Sequence, residues 1–532
     1  MTHREPTTPA ARVAVAVVLM AMVAAMVGAA LFVTRGSGTD LPAPLPAAST
    51  IAPDPVGAEV PPETTATSST SSSTSSTTTT TTLPLREPGT VPGFTVGRPW
   101  GEVVGLTMFR GNPTRSFYGT GPLPADTPVE LWSYPADGPM CGSSTVAGES
   151  RQWCGSGWTG QPVVWERPDG GTEVIFGAYD KAVHFLDAAT GEETRPSFPV
   201  GDIIKGSVTL DPDGFPLLYT GSRDNKMRVI ALDRDVPTEL WSIDASAVPG
   251  IWNDDWDGNP AIVDDIMFIG GENSWFFAIL LNRSYDGDGS VVVDPEVVFQ
   301  MPGYTDELLA LVGRNVSIES SVALFEERLY FTNSGGRVVG LDISNVRQGE
   351  APVVFDYWAG DDIDATPVID SEGMLYIAIE DERKNERSRE VGQLIKLDPY
   401  TDGDPRVWGV ADPGGSVPGG IWATPALGDG FIYVGTETGR LLAVDATTGE
   451  VTWEDSVGPH AWSSPAIIDG VLLLATCEPP ELRAYSLDNP ALPEPIWTMA
   501  PAAGGCLEST PAVWEGRIYV GSRDGYFRAY GD

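Results

Sequence analysis

An eightfold repeated phrase limits the fold of this chain more than any other feature. A residue X, then a small residue, a polar residue and Pro or Val, opens at Thr159, Lys205, Asp257, Glu319, Asp364, Trp422, Trp462 and Glu508. The followers read Gly-Gln-Pro, Gly-Ser-Val, Gly-Asn-Pro, Ser-Ser-Val, Ala-Thr-Pro, Ala-Thr-Pro, Ser-Ser-Pro and Ser-Thr-Pro. Spacings run from 40 to 62 residues, and the long ones carry insertions such as Tyr285 to Pro295 and Asp381 to Glu390. A period of about 40–50 residues is that of propeller blades, units that bury their apolar faces only against neighbours.

One copy shows the content of a unit. From Gly420 to Trp453 a short strand leads to a turn at Gly428-Asp429-Gly430. Phe431 to Gly435 and Arg440 to Asp445 follow, separated by a turn at Glu437 to Gly439. A last turn at Thr447 to Gly449 precedes a strand bearing Trp453. Four short strands joined by Gly/Asp turns predict one antiparallel sheet, and eight of them predict an all-β, eight-bladed β-propeller over residues 92–532. The last repeat stops after its third strand, at Tyr526 to Tyr530. Pro128-Val-Glu-Leu-Trp-Ser-Tyr134 matches Glu239-Leu-Trp-Ser-Ile243 and supplies the missing strand. The N-terminal strand is therefore expected to complete the last blade, a closure that removes exposed sheet edges.

The segment before the propeller has another character. Val13 to Val33 is an uninterrupted apolar run, about 30 Å long as a helix and enough to span a bilayer. Arg4 and Arg12 precede it and Arg35 follows, which places residues 1–12 in the cytoplasm and the rest outside as a single-pass membrane protein. A cleaved signal peptide ending near Gly28-Ala29-Ala30 is the alternative. Residues 34–91 are rich in Pro, Ala, Ser and Thr, and are expected to form a disordered spacer.

Charge narrows the partners. With 73 acidic and 32 basic side chains the chain carries −41, which repels nucleic acid and anionic lipid. The four cysteines, Cys141, Cys154, Cys477 and Cys506, form no CxxC or CxxCH motif. An even number in an exported chain points to two disulfides. Of the three pairings, sequence proximity favours Cys141–Cys154 and Cys477–Cys506. His3, His184 and His460 are too few for a His-rich metal site. Asp286-Gly-Asp-Gly289 reads as a turn, because a 12-residue Ca²⁺ loop starting there would end on Val297 where it needs Glu.

Ala443-Val-Asp-Ala-Thr-Thr-Gly-Glu-Val-Thr-Trp453 fits the pattern A-x-D-x-x-T-G-x-x-x-W, and Leu186-Asp187-Ala-Ala-Thr190-Gly191 fits part of it. Met108-Phe-Arg-Gly-Asn-Pro113, with Gly121-Pro-Leu-Pro124, stands ahead of the repeats. These phrases, covering residues 105–532, resemble the quinoprotein-like (PQQ-like) β-propeller repeat family. That family includes quinone-dependent dehydrogenases and non-enzymatic members such as the scaffold lipoprotein of outer-membrane assembly. The resemblance implies that Trp132, Trp241 and Trp453 are structural, each packing its indole on the neighbouring blade.

In a propeller the eight X residues should converge on the mouth of the central channel. Asp257, Glu319, Asp364 and Glu508 are acidic there, Lys205 is basic, and Trp422 and Trp462 are indoles. Asn253-Asp-Asp255 and Asp361-Asp362 lie near them in sequence. Crowded carboxylates must be solvated, protonated, matched to Lys205, or hold a cation, and Asp257, Glu319 and Asp364 are candidate ligands for Ca²⁺. A water-filled acidic funnel without an ion is the plainer reading. The family resemblance also implies an alternative, a PQQ- and Ca²⁺-dependent oxidoreductase, for which Asp257, Asn259, Glu319, Asp364, Lys205 and Trp422 supply the residue types. Against it, the chain has no adjacent cysteine pair and no haem motif. A third class, paired carboxylates acting on sugars, would need separations of about 5.5 Å or 6.5–9.5 Å. The leading expectation is a non-catalytic binding scaffold without cofactor, facing an extracytoplasmic protein, glycan or cationic partner.

Overall fold

A computed structural model describes residues 95–146, 149–158, 160–414, 418–502 and 504–532. The apolar run at 13–33, the spacer at 34–91, His3 and Thr159 lie outside the described residues. Among the described residues no helix is long and apolar enough to cross a membrane.

The repeats fold as eight antiparallel blades. In blade 6, Ala426–Gly428, Phe431–Gly435, Arg440–Asp445 and Val451–Ser456 follow one another from the innermost strand to the outermost. Blades 2, 3, 4, 5 and 7 repeat this order. Blade 8 takes Ala512–Trp514, Arg517–Gly521 and Phe527–Gly531 from the C-terminus, and its outer strand is Val129–Tyr134. The closure expected from the sequence is present, with Trp132 opposite Ala529. The outermost pairing of blades 2 to 8 carries a register shift, at Ala443/Val444 in blade 6 for example. Such bulges increase strand twist, which a radial stack of sheets requires.

The core lies between the blades. One cluster joins blades 1 and 2 through Ile175, Phe185, Leu218 and Ile230, and another joins blades 8 and 1 through Phe176, Trp132 and Phe527. Five further clusters fill the other interfaces. The A-x-D-x-x-T-G motif makes the seat for an indole at these seams. Asp445 Oδ1 accepts from the backbone N–H of Thr447 and Thr448 and from the Thr448 hydroxyl. Gly449 then turns into the left-handed region at φ +76°, where a Cβ would stand 2.7 Å from the Trp408 ring. Trp408 of blade 5 lies on this glycine and donates to Ala446 O at 3.2 Å. Trp132 repeats the arrangement over Gly191, donating to Ala188 O. Trp453 meets Tyr485 of blade 7 edge-on at 5.6 Å, and Trp241 packs into the seam of blades 2 and 3.

Both disulfides join the pairs favoured by proximity. Cys141–Cys154 ties the base of a hairpin, Cys141–Val146 with Glu149–Cys154, that projects between the closing strand and blade 1. Cys477–Cys506 links blade 7 to the segment entering blade 8. Of the insertions, residues 284–292 form a two-stranded hairpin whose turn holds Asp286 to Gly289. The blade-5 insertion holds a short helix, Glu386–Val391, capped by the Asn385 side chain.

Candidate functional site

The polar residue of the repeated phrase builds a belt around the channel. Its hydroxyl accepts from the backbone N–H of the same position one blade earlier. Ser321 Oγ serves Asn259 N at 2.9 Å, Thr366 Oγ1 serves Ser321 N at 3.1 Å, and Thr424 Oγ1 serves Thr366 N at 3.0 Å. Ser464 and Thr510 continue the series, and Ser207 Oγ serves Gln161 N at 2.8 Å. Buried N–H groups that no sheet satisfies thus find partners by blade-to-blade contact.

Two belt positions carry amides, and both reach inward to a segment that crosses the channel. This segment leaves the inner edge of blade 1 at Gly105–Leu106 and joins the inner edge of blade 8 at Gly119–Thr120. Between them Arg110 donates to Pro465 O at 2.6 Å and Pro425 O at 2.5 Å, on blades 7 and 6. Arg115 donates to Val322 O of blade 4 at 2.7 Å and to Asn259 Oδ1 of blade 3 at 2.8 Å. Gln161 Oε1 accepts from Arg110 N, and Asn259 Oδ1 accepts from Phe109 N. Both guanidiniums are fully buried and meet carbonyl oxygens. Burial lowers the Arg110 pKa and brings that of Arg115 down to about 9, with Arg110 repelling it. The segment is a plug. In the sequence it only stands ahead of the repeats, and Asn259 counts there among the residue types of a quinone site. The Asn259 amide is instead committed to the plug and to Thr209 Oγ1 and Val208 O.

Above the plug the X residues gather in part. A small cavity open to solvent is lined by Phe109, Trp158, Asp257, Glu319, Asp364 and Thr424, among others. Lys205 pairs with Asp257, and its Nζ stands 3.3 Å from Glu272 Oε1 and 4.0 Å from Glu319 Oε2. Burial alone would lower the Lys205 pKa, but these three carboxylates raise it. Burial opposes ionisation of Asp257 too, yet Lys205 and Arg223 hold its pKa below the usual range. Glu319 pays the other way. Burial and the neighbouring Asp364 push its carboxyl up to about 8. Asp255, paired with Arg223 at 2.7 Å, is pushed up to about 7 by burial and by Asp257. Asp364 joins a second trio with Asp362 and Glu380, one oxygen of each lying within 4.8 Å of the others. The sequence-derived metal set Asp257, Glu319 and Asp364 is therefore divided between two trios.

The opposite side is aromatic. Trp422 and Trp462 stack at 5.2 Å and 8°, and Trp158 leans on both, at 5.4 and 5.0 Å. Trp462 Nε1 donates to Glu437 Oε2 at 2.5 Å, while Glu437 Oε1 lies 2.6 Å from His460 Nδ1. Glu508 stands apart from the trios, held by the Tyr179 hydroxyl and Arg523, both at 2.9 Å. His184 is buried in blade 1 between Asp180 and Tyr134.

Glu272, Glu380, Glu437, Arg223 and Arg523 were not among the expected site residues. They share a second recurring position, two residues past the end of each blade's second strand. Aligning the repeats on that strand, as well as on X, would have found them. Trp158 has no such signal, since it directly precedes the X residue of blade 1.

Residues 390–530 match a family model, PQQ_2, described as outer membrane protein assembly factor BamB. Two curated relatives with that name are 34% identical over 110 residues. The one from Yersinia pestis matches 20% of this chain and 26% of its own length, and the one from Nitrosomonas eutropha 21% and 22%. The chain thus spans about a quarter of the length of the relatives it matches. Among solved structures, quinohemoprotein alcohol dehydrogenase from Comamonas testosteroni superposes with a TM-score of 0.50 at 14% identity, over 80% of each chain. Quinohemoprotein alcohol dehydrogenase ADHIIG from Pseudomonas putida HK5 gives 0.52 at 12%, also over 80% of each. At such identities the likeness concerns the fold alone. The fold is an eight-bladed propeller with an acidic, indole-lined mouth. Residues 390–530 are thus similar to PQQ-like β-propeller repeats.

Proposed function

We propose that this chain is a non-catalytic binding module, held outside a cytoplasmic membrane by its N-terminal segment. Its funnel takes a cationic group offered by a protein or glycan partner. The observation that carries this reading is the blind cup itself. Phe109 of the plug lines it together with half-buried Trp158, Asp257, Glu319 and Asp364, and Trp158 in turn leans on Trp422 and Trp462. An indole face next to carboxylates suits an ammonium or guanidinium group, which gains from both. The named role of the Yersinia and Nitrosomonas relatives, assembly of outer membrane proteins, agrees with a binding scaffold.

The quinone-dependent alternative has less support in the side chains. The Trp422 and Trp462 faces that would stack a planar quinone lie on each other. Lys205 is engaged by three carboxylates, and the Asn259 amide is committed to the plug. These residues do not fit a quinone with its Ca²⁺.

The test compares the full wild-type chain with Trp462→Ala and Glu319→Gln as bait on solubilised membranes of its own source. A partner retained by wild type, weakened by both substitutions and released as salt rises supports the reading. Equal retention by all three chains would reject the funnel as the binding face. Adding PQQ and Ca²⁺ with an electron-accepting dye and an alcohol should produce no reduction; reduction would restore the oxidoreductase reading.

A further inference from the structure

The two carboxylate trios differ in how their charge is balanced. Asp257, Glu272 and Glu319 share the Lys205 ammonium. Asp362, Asp364 and Glu380 share no such group. Among the described residues their one ion pair is from Arg383 Nη2 to Asp362 Oδ2, at 3.6 Å, and Arg383 is also drawn to Asp361 at 3.3 Å and to Asn315 O.

Asp362 Oδ1, Asp364 Oδ1 and Glu380 Oε1 are buried and make no hydrogen bond among the described residues. Asp362 and Glu380 are only 6% and 3% exposed. Each ionised carboxylate left so would cost several kcal/mol. Three together must take up protons or share a cation. Burial, followed by mutual repulsion for Asp364 and Glu380, raises their pKa values well above the ordinary range, and burial does the same for Asp362 against the pull of Arg383.

We propose that Asp362, Asp364 and Glu380 form a site for a hard divalent cation of the Ca²⁺ type, separate from any quinone. The donors are all oxygen, which selects Ca²⁺ over thiophilic or imidazole-seeking metals. Their mutual spacing within 4.8 Å suits oxygens around one ion at about 2.3–2.6 Å. Asp364 lines the open cavity, so ion and water have a path to the site. Asp362 and Asp364 precede the innermost strand of blade 5, and Glu380 opens the insertion that holds helix Glu386–Val391. A bound ion would fasten these two loops together.

The experiment titrates Ca²⁺ into the chelator-treated full chain by calorimetry, with melting temperature as a second readout. The expected result is one saturable equivalent and a rise in melting temperature. Asp364→Asn and Glu380→Gln should each weaken binding at least tenfold and lose the thermal shift. Both variants remove repulsion, so their melting without Ca²⁺ should equal or exceed that of wild type, which establishes that they fold. Glu272→Gln, in the Lys205 trio, should bind as wild type does. No saturable binding to wild type overturns the proposal. So does weak multisite binding common to all variants, or binding that Glu272→Gln abolishes and Asp364→Asn leaves intact.

Discussion

Trp422 and Trp462 come from neighbouring blades, 40 residues apart in the chain, yet their indoles lie parallel within 8° at 5.2 Å. Their equivalent positions ahead of the innermost strands of adjacent blades bring them this close. Trp462→Ala should therefore disturb Trp422 and Trp158 as well, changing near-ultraviolet circular dichroism and fluorescence by more than one indole's share. Far-ultraviolet signal and melting temperature should change little, since the stack sits at the mouth and outside the seams between blades.

Glu319 gives the mouth a pH dependence. Its folded pKa is about 8, against 4.5 ordinarily. The folded state then holds a proton that the unfolded state releases between these values. Its contribution to stability is complete below about pH 4.5 and is lost as pH rises through about 8. Glu319→Gln should flatten the fall in melting temperature between pH 5 and 8.5. An unchanged slope would assign that titration elsewhere.

Arg115 anchors the plug by at least three close acceptors: Val322 O, Phe109 O and Asn259 Oδ1. Arg115→Met takes the guanidinium donors from buried Val322 O and Phe109 O and leaves Asn259 Oδ1 only the Phe109 N–H, at a cost of about 3 kcal/mol. Denaturant unfolding should show this loss. Amide exchange at Phe109 and Leu324, whose N–H groups bond across the plug, should accelerate.

Gly449 combines a left-handed backbone with contact against Trp408. Gly449→Ala should destabilise the chain by about 1–3 kcal/mol through strain and overpacking. The double variant with Trp408→Phe should recover only the packing part, and a thermodynamic cycle of denaturation midpoints separates the two.

Thr366 tests the belt. Thr366→Val keeps the shape but takes away the acceptor for Ser321 N–H. A cost of about 1–3 kcal/mol is expected, with faster exchange of the Ser321 amide. Thr366→Ser should restore both.

Much of this molecule is legible in its sequence because the repeat is built from local rules. Turn glycines, alternating apolar residues and the A-x-D-x-x-T-G phrase each act within about ten residues, and eight copies corroborate one another. The closing strand could be found because Glu130-Leu-Trp132 repeats Glu239-Leu-Trp241. The plug has no copy, so nothing within the chain indicates that Arg110 and Arg115 are buried across the axis. Asp257, Glu319 and Asp364 were expected at one mouth, and they line one cavity. Their division into two trios depends on Glu272 and Glu380, which reach the mouth from the far end of another strand. Spacing from X cannot reveal that convergence.

The plug also affects how the protein must assemble. Residues 105–120 are made before every blade, yet their partners include Pro465 and Val513, near the opposite end of the chain. The first part of the domain to leave the ribosome is thus among the last to find its place. Until then two guanidiniums and an apolar floor stay exposed, so the interval between synthesis of residue 120 and residue 531 is when this propeller most needs protection from aggregation.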